Sequence, residues 1–200
     1  DGISMYYKKI NPNGIVLYGG ASVPEHKDYA KEYAKERPYV DLFFVGPGEI
    51  TFKNYLKNID NHITTHQGTF SCSHNNVVVD KSMYLIKAED IPDPYVLGIF
   101  DEIINNIDKK SIGITFESTR GCPFRCSFCD WGGLSRSLVS KIQKEKIFAN
   151  IDWIYKHGDK IAIIDIIDAN FGMAKRDLEI LQYFEKLHHE TGHSFKITVN

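Results

Sequence analysis

The chain has 200 residues, 42% hydrophobic and 25% charged, with a formal net charge of −2. That balance excludes a disordered chain and a broad basic surface for nucleic acid. No apolar run approaches the roughly 20 residues needed to cross a bilayer, and the four cysteines, with no signal segment, point to a reducing, cytoplasmic compartment.

The first residues read as the end of a helix. Residues 13–20 hold a turn, a short apolar strand, Ile15-Val16-Leu17-Tyr18, and the pair Gly19-Gly20 at its carboxyl end. Residues 23–37 are polar, rich in Lys and Glu, and helical in character. Residues 40–45 form a second strand that ends in Gly46-Pro47-Gly48-Glu49. Residues 50–59 then predict a helix with Phe52, Tyr55, Leu56 and Ile59 at core spacing. Glycine turns at strand ends let a backbone approach a ligand closely, as in doubly wound nucleotide folds. A glycine pair alone serves equally well as a tight turn.

Residues 61–110 are polar and irregular. His62, His66, Cys72 and His74 lie close together in sequence, but their spacing has no helical or hairpin framework. The stretch reads as a surface linker, with Cys72 a free thiol. A small β-element is expected at 77–79 and 83–86. Pro92 and Pro94 stiffen the segment that follows, and Tyr95, Val96, Leu97 and Phe100 are expected to dock on the next domain.

Ile112-Gly113-Ile114-Thr115-Phe116-Glu117-Ser118 alternates in the manner of a strand and delivers the loop Arg120-Gly121-Cys122-Pro123-Phe124-Arg125-Cys126-Ser127-Phe128-Cys129-Asp130. Three thiols spaced C-x-x-x-C-x-x-C are suited to a metal centre. An iron–sulfur cube normally takes four cysteines, so a compact trio leaves one iron open to a substrate or cofactor. Gly121 and Pro123 bend the chain around the first thiol, Gly132-Gly133 release it after the last, and Arg120 and Arg125 place positive charge nearby. Structural zinc is the alternative and would need a fourth ligand, Cys72, His74 or His157. A disulfide cannot pair three clustered cysteines evenly. The remaining readings are a non-catalytic zinc- or iron–sulfur-binding module and an electron-transfer protein.

Downstream, residues 144–157 form an amphipathic helix with Ile147, Phe148, Ile151, Ile154 and Tyr155 on one side and Gly158 closing it. Residues 161–167 are a nearly continuous apolar run of the kind buried in a parallel sheet, interrupted by Asp165, which reads as a buried, hydrogen-bonded polar group rather than a ligand. Asp168-Ala169-Asn170-Phe171-Gly172 ends that strand. A second helix, 175–191, presents Leu178, Leu181, Phe184 and Leu187 on one face, and residues 194–199 start a third strand. Strand–helix–strand–helix–strand predicts an α/β domain with a parallel sheet. The cysteine loop and the 168–172 turn then lie on the same rim, at the carboxyl ends of neighbouring strands.

The cysteine loop, with an aromatic Phe128 before its last thiol, resembles the cluster motif of the radical S-adenosylmethionine (SAM) superfamily. Glu117-Ser118-Thr119-Arg120-Gly121-Cys122-Pro123 is similar to the lead-in of its cobalamin-binding subgroup. Gly19-Gly20 and Gly46-x-Gly48-Glu49 resemble glycine segments that line the corrinoid tail, the second written G-E-G-E in relatives, from which Pro47 departs. The Asp-x-His-x-x-Gly signature of the cobalt-ligating histidine does not occur in the chain and is expected upstream. The 91–101 segment resembles the proline-rich connection between the two domains.

The resemblance implies a fragment of two domains: 1–60, the C-terminal part of a doubly wound, Rossmann-like cobalamin-binding domain; 61–110, a linker; and 111–200, the N-terminal half of a radical SAM partial TIM-type barrel. It implies a [4Fe-4S] cluster on Cys122, Cys126 and Cys129, with SAM on the fourth iron and Phe128 beside its adenine. Asp168 and Asn170 would meet the methionine part of SAM. As residues alone they could equally cap the turn and take a left-handed conformation there. Gly19, Gly20, Gly48 and Glu49 would contact cobalamin. The activity implied is reductive cleavage of SAM to a 5′-deoxyadenosyl radical, with cobalamin-dependent methyl transfer or another C–H functionalisation of an unknown small-molecule or peptide substrate. An external flavodoxin- or ferredoxin-like donor would supply the electron.

Overall fold

A computed structural model describes residues 1–59, 68–71, 91–124, 126–129 and 139–199. They fall in two compact units, 1–71 and 91–199. The histidines and cysteine at 62, 66, 72 and 74, the β-element expected at 77–86, Arg125 and Gly132-Gly133 lie outside the described residues.

In the first unit the chain runs α1 (Gly2–Ile10), β1 (Leu17–Tyr18), α2 (Lys27–Lys35), β2 (Leu42–Phe44), α3 (Glu49–Lys57) and β3 (Thr69–Phe70). The sheet order is β1-β2-β3, with β1 parallel and β3 antiparallel to β2. Alternation along β2 sends Phe43 to one face and Leu42 and Phe44 to the other. Phe43 stacks on Phe70 at 4.7 Å between centroids and packs with Val16, Ala30, Ala34 and Val45. The opposite pair packs with Tyr55 of α3. The four-residue apolar set expected on α3 is corrected here. Thr51 and Tyr55 are buried, while Phe52, Leu56 and Ile59 are exposed. A three-stranded sheet offers that helix only a narrow face, which one position per turn is enough to cover.

In the second unit the order is α4 (Asp101–Asn105), β4 (Ile112–Phe116), β5 (Thr119–Arg120), β6 (Ser140–Lys141), α5 (Lys144–Lys156), β7 (Ile161–Ile166), α6 (Lys175–Thr191) and β8 (Lys196–Val199). The strands β4-β7-β8 form a parallel sheet with Ile114 opposite Ile164 and Ile164 opposite Ile197. One face carries the core: Ile114, Phe116, Ile164 and Ile166 against Ile147, Ile151 and Ile154 of α5 and Ile180 and Phe184 of α6. On the other face Ile163 and Ile167 are exposed and Asp165 accepts a 2.7 Å bond from Thr198 Oγ1. The apolar run of β7 is therefore covered on one side only.

Three local expectations are corrected. On α6 the buried positions are Asp177, Ile180 and Phe184, while Leu178 and Leu181 are 61% and 42% exposed. Tyr95 and Phe100 dock, with Tyr95 4.9 Å from the Trp153 ring and its hydroxyl donating to Thr115 O at the edge of β4, but Val96 and Leu97 stay exposed. Gly158 does not close α5 with a left-handed cap; the helix stops at His157 with φ −109°. A glycine is needed at 158 because a Cβ there would fall 2.5 Å from the His193 ring. The left-handed stop belongs to Gly192, φ +73°, after α6.

Candidate functional site

The cysteine loop leaves the carboxyl end of β4 and is pinned at its base. Thr119 pairs with Lys141 and Arg120 with Ser140, so the β5–β6 ladder joins the two ends of the loop. Gly121, at φ +91°, makes the turn into the first thiol, a conformation that favours glycine. Cys122 is buried, Cys126 exposed and Cys129 half-buried, and all three are free thiols. Cys129 N–H donates to Cys126 O at 3.1 Å, which folds the C-x-x-C segment into a turn. Arg120 makes two bonds to Glu117, 2.9 and 2.8 Å, so much of the charge expected beside the thiols is balanced within the loop's own lead-in.

The end of the neighbouring strand β7 meets this loop. Asp168 is buried, accepts from Ser118 N at 2.6 Å and also from Ser118 Oγ. Burial pushes its carboxyl above the ordinary value; the Ser118 bonds oppose the rise and nearby Glu117 adds to it. Two residues on, Asn170 Nδ2 donates to Cys122 Sγ at 2.8 Å. Arg176, at the start of α6, clasps the loop's base from below. Its guanidinium donates to Ile142 O at 2.7 Å, to Thr119 Oγ1 at 2.8 Å and to Ser118 O. Asp177 Oδ2 accepts from Gly172 N and Ala174 N, both 2.9 Å, and so fixes the turn that carries Asn170. Phe128 stands 91% exposed at the tip of the loop.

His157 does not join the thiols. Its ring is buried against Trp153, with Nδ1 2.8 Å from Trp153 O, at the amino end of β7. Six strand residues, roughly 20 Å, separate it from the rim on which the cysteines lie. Among the described residues no group of three His, Cys, Asp or Glu side chains is gathered as a single ion would require. A tetrahedral zinc would draw its sulfurs to about 3.8 Å of one another, whereas a cube takes one thiolate at each of three separate irons.

In the other unit, a cavity of about 600 Å³ opens at the carboxyl ends of β1 and β2, lined by Gly19, Gly20, Gly46, Gly48, Glu49 and Phe52 among others. Gly20 and Gly46 need to be glycine for their backbone, at φ +86° and +68°. Gly48 does not: its φ is −84°, and a Cβ there would point into open space.

No protein-family model matches the chain. Over 99% of its length it is 31% identical to the cobalamin-dependent radical SAM methyltransferase TokK of Streptomyces tokunonensis. This chain is homologous to the cobalamin-dependent radical SAM enzymes. It is likewise 29% identical, over 99% of its length, to 2-(S-pantetheinyl)-carbapenam-3-carboxylate methyltransferase of Streptantibioticus cattleyicolor. The chain spans 29% of the length of each of these relatives. The same family's fold appears in the structure of OxsB with aqua-cobalamin and SAM bound, at TM-score 0.56 and 17% identity over 98% of this chain and 27% of that one. TsrM of Kitasatospora setae gives TM-score 0.61 at 14% identity, over 94% of this chain and 36% of that one. The α/β architecture expected of the chain is the one observed.

The bonds of Ser118 to Asp168, the roles of Arg176 and Asp177, and the β5–β6 ladder had no signature in the sequence. Arg176 and Ser118 are 58 residues apart, and nothing local announces such a pair.

Proposed function

We propose that the chain is part of a cobalamin-dependent radical SAM methyltransferase, with residues 111–200 contributing to the radical SAM domain and residues 1–60 to the cobalamin-binding domain. Cys122, Cys126 and Cys129 hold a [4Fe-4S] cluster and leave the fourth iron for SAM. When bound, the cluster supplies the electron for reductive cleavage of SAM, and cobalamin supplies a carrier for the methyl group. The observation that carries this reading is the placement of three free thiols on one pinned loop at the carboxyl rim of a parallel sheet.

The chain's own residues bind and position. Arg176 and Asp168 hold the lead-in of the loop from two sides, which fixes where the first thiol stands. The exposed Phe128 ring offers a flat apolar surface for the adenine of SAM. The backbone at Gly19, Gly20 and Gly48, with Glu49 beside them, would meet the corrinoid's nucleotide tail, and the cavity that they line supports this reading. A low-potential flavodoxin- or ferredoxin-like donor would deliver the electron. No described helix is long and apolar enough to cross a membrane.

The test is anaerobic reconstitution of the full-length protein. It should bind iron and sulfide as one cube, change the spectrum of the reduced cluster when SAM is added, and take up a corrinoid detectable by its visible bands. Cys122→Ala, Cys126→Ala and Cys129→Ala should each lose iron, while Cys72→Ala keeps it. A cluster indifferent to SAM would reject the reading in favour of an electron carrier.

A further inference from the structure

We propose that Asn170 sets the reduction potential of the cluster by donating an amide N–H to the Cys122 sulfur, a role that rests on the cluster assignment above. The contact is direct, Nδ2 to Sγ at 2.8 Å. The Cys122 side chain is buried, so water competes poorly for its lone pairs. Among the described residues, Cys122 is the one cysteine of the three that receives a side-chain donor.

The donor is held in place rather than merely near. The 168–174 turn is tied to the lead-in of the cysteine loop through Asp168 and Ser118, and to α6 through Asp177, whose carboxylate accepts from Gly172 N and Ala174 N. A side chain on so fixed a turn loses little further freedom when it donates. The chemistry follows from charge. A thiolate that ligates iron keeps lone pairs able to accept a hydrogen bond, and that bond withdraws electron density from the sulfur. Reduction adds one negative charge to the cluster, so a fixed N–H dipole aimed at its ligand favours the reduced form and raises the potential. Asn170 would thus act on the protein's own ligand, independently of SAM.

The experiment is a redox titration followed by the paramagnetic signal of the reduced cluster. It uses reconstituted full-length protein, wild type, Asn170→Leu and Asn170→Asp, each with and without SAM. Leucine removes the donor at similar volume; aspartate removes it and adds negative charge. The expected result is a midpoint displaced to more negative potential in both variants, larger for aspartate, and already present without SAM. An unchanged midpoint at equal iron content would overturn the proposal, as would a shift confined to the SAM-bound state. Loss of the cluster from both variants, with far-ultraviolet circular dichroism unchanged, would also overturn it, making Asn170 a retention group. A wild-type protein that holds no cluster would defeat the cluster assignment instead.

Discussion

Asp168 is a carboxylate placed where its surroundings disfavour charge, and that has a measurable consequence. Burial raises its pKa above the ordinary aspartate value of 3.8, and Glu117 adds to the rise against the bonds from Ser118. The folded value exceeds the unfolded one, so the contribution to stability is complete below about pH 4 and is lost as pH rises through the folded value. In Asp168→Asn the amide can still accept from Ser118 N, and its stability should lack this slope. The wild-type urea midpoint, minus that of the variant, should therefore shrink between about pH 4 and pH 7; parallel curves would contradict the assignment. Gly158 makes a different kind of prediction. Its backbone is ordinary, but a Cβ would sit 2.5 Å from the His193 ring. Gly158→Ala should cost about 1–3 kcal/mol in thermal or chemical unfolding. The double variant Gly158→Ala/His193→Ala should recover part of that loss, which a cycle of the two single variants would measure.

Arg176 shows how one element can brace another across a long stretch of sequence. Its guanidinium satisfies Ser118 O, Ile142 O and Thr119 Oγ1, all at the root of the cysteine loop. Arg176→Met keeps the apolar stem and removes the donors. It should lower unfolding stability by on the order of 1–3 kcal/mol and reduce iron retained per chain after desalting. Full iron retention would show that the clasp and the thiols are independent. The elements themselves were largely legible. The helix expected over 144–157 is found at Lys144–Lys156 and the one over 175–191 at Lys175–Thr191, because apolar residues recur in both at helical spacing. Their faces were less so. Leu178 and Leu181 share helical spacing with Phe184, yet the sheet lies on the side of Ile180, which only tertiary packing decides. Strands β3, β5 and β6 have two residues each, too short to display alternation. At the site, the thiols and the glycine turns could be read from spacing. Ser118 and Arg176 could not, because their partners lie dozens of residues away, and the bonds of Asp168 to Ser118 replace the local turn cap that sequence alone allowed.

At the scale of the molecule, each unit has its own sheet and its own core, so each should lose its own cofactor alone. Gly48 is the position from which to test this in the first unit. Its φ of −84° suits any residue and a Cβ there meets nothing, so Gly48→Leu should leave folding within about 0.5 kcal/mol of wild type. The new side chain would occupy part of the 600 Å³ cavity, and corrinoid binding should weaken by about tenfold or more, equivalent to at least ~1.4 kcal/mol. Iron content should not change. In the second unit, Cys126 is exposed and packs against no core, so Cys126→Ala should remove iron without loss of stability or of corrinoid. The two variants, measured side by side for iron and for visible corrinoid absorbance, give a crossed pattern if the assignments hold. Loss of both cofactors in either variant would mean that the units depend on one another. Undiminished corrinoid binding in Gly48→Leu would place the corrinoid somewhere other than the glycine-lined cavity.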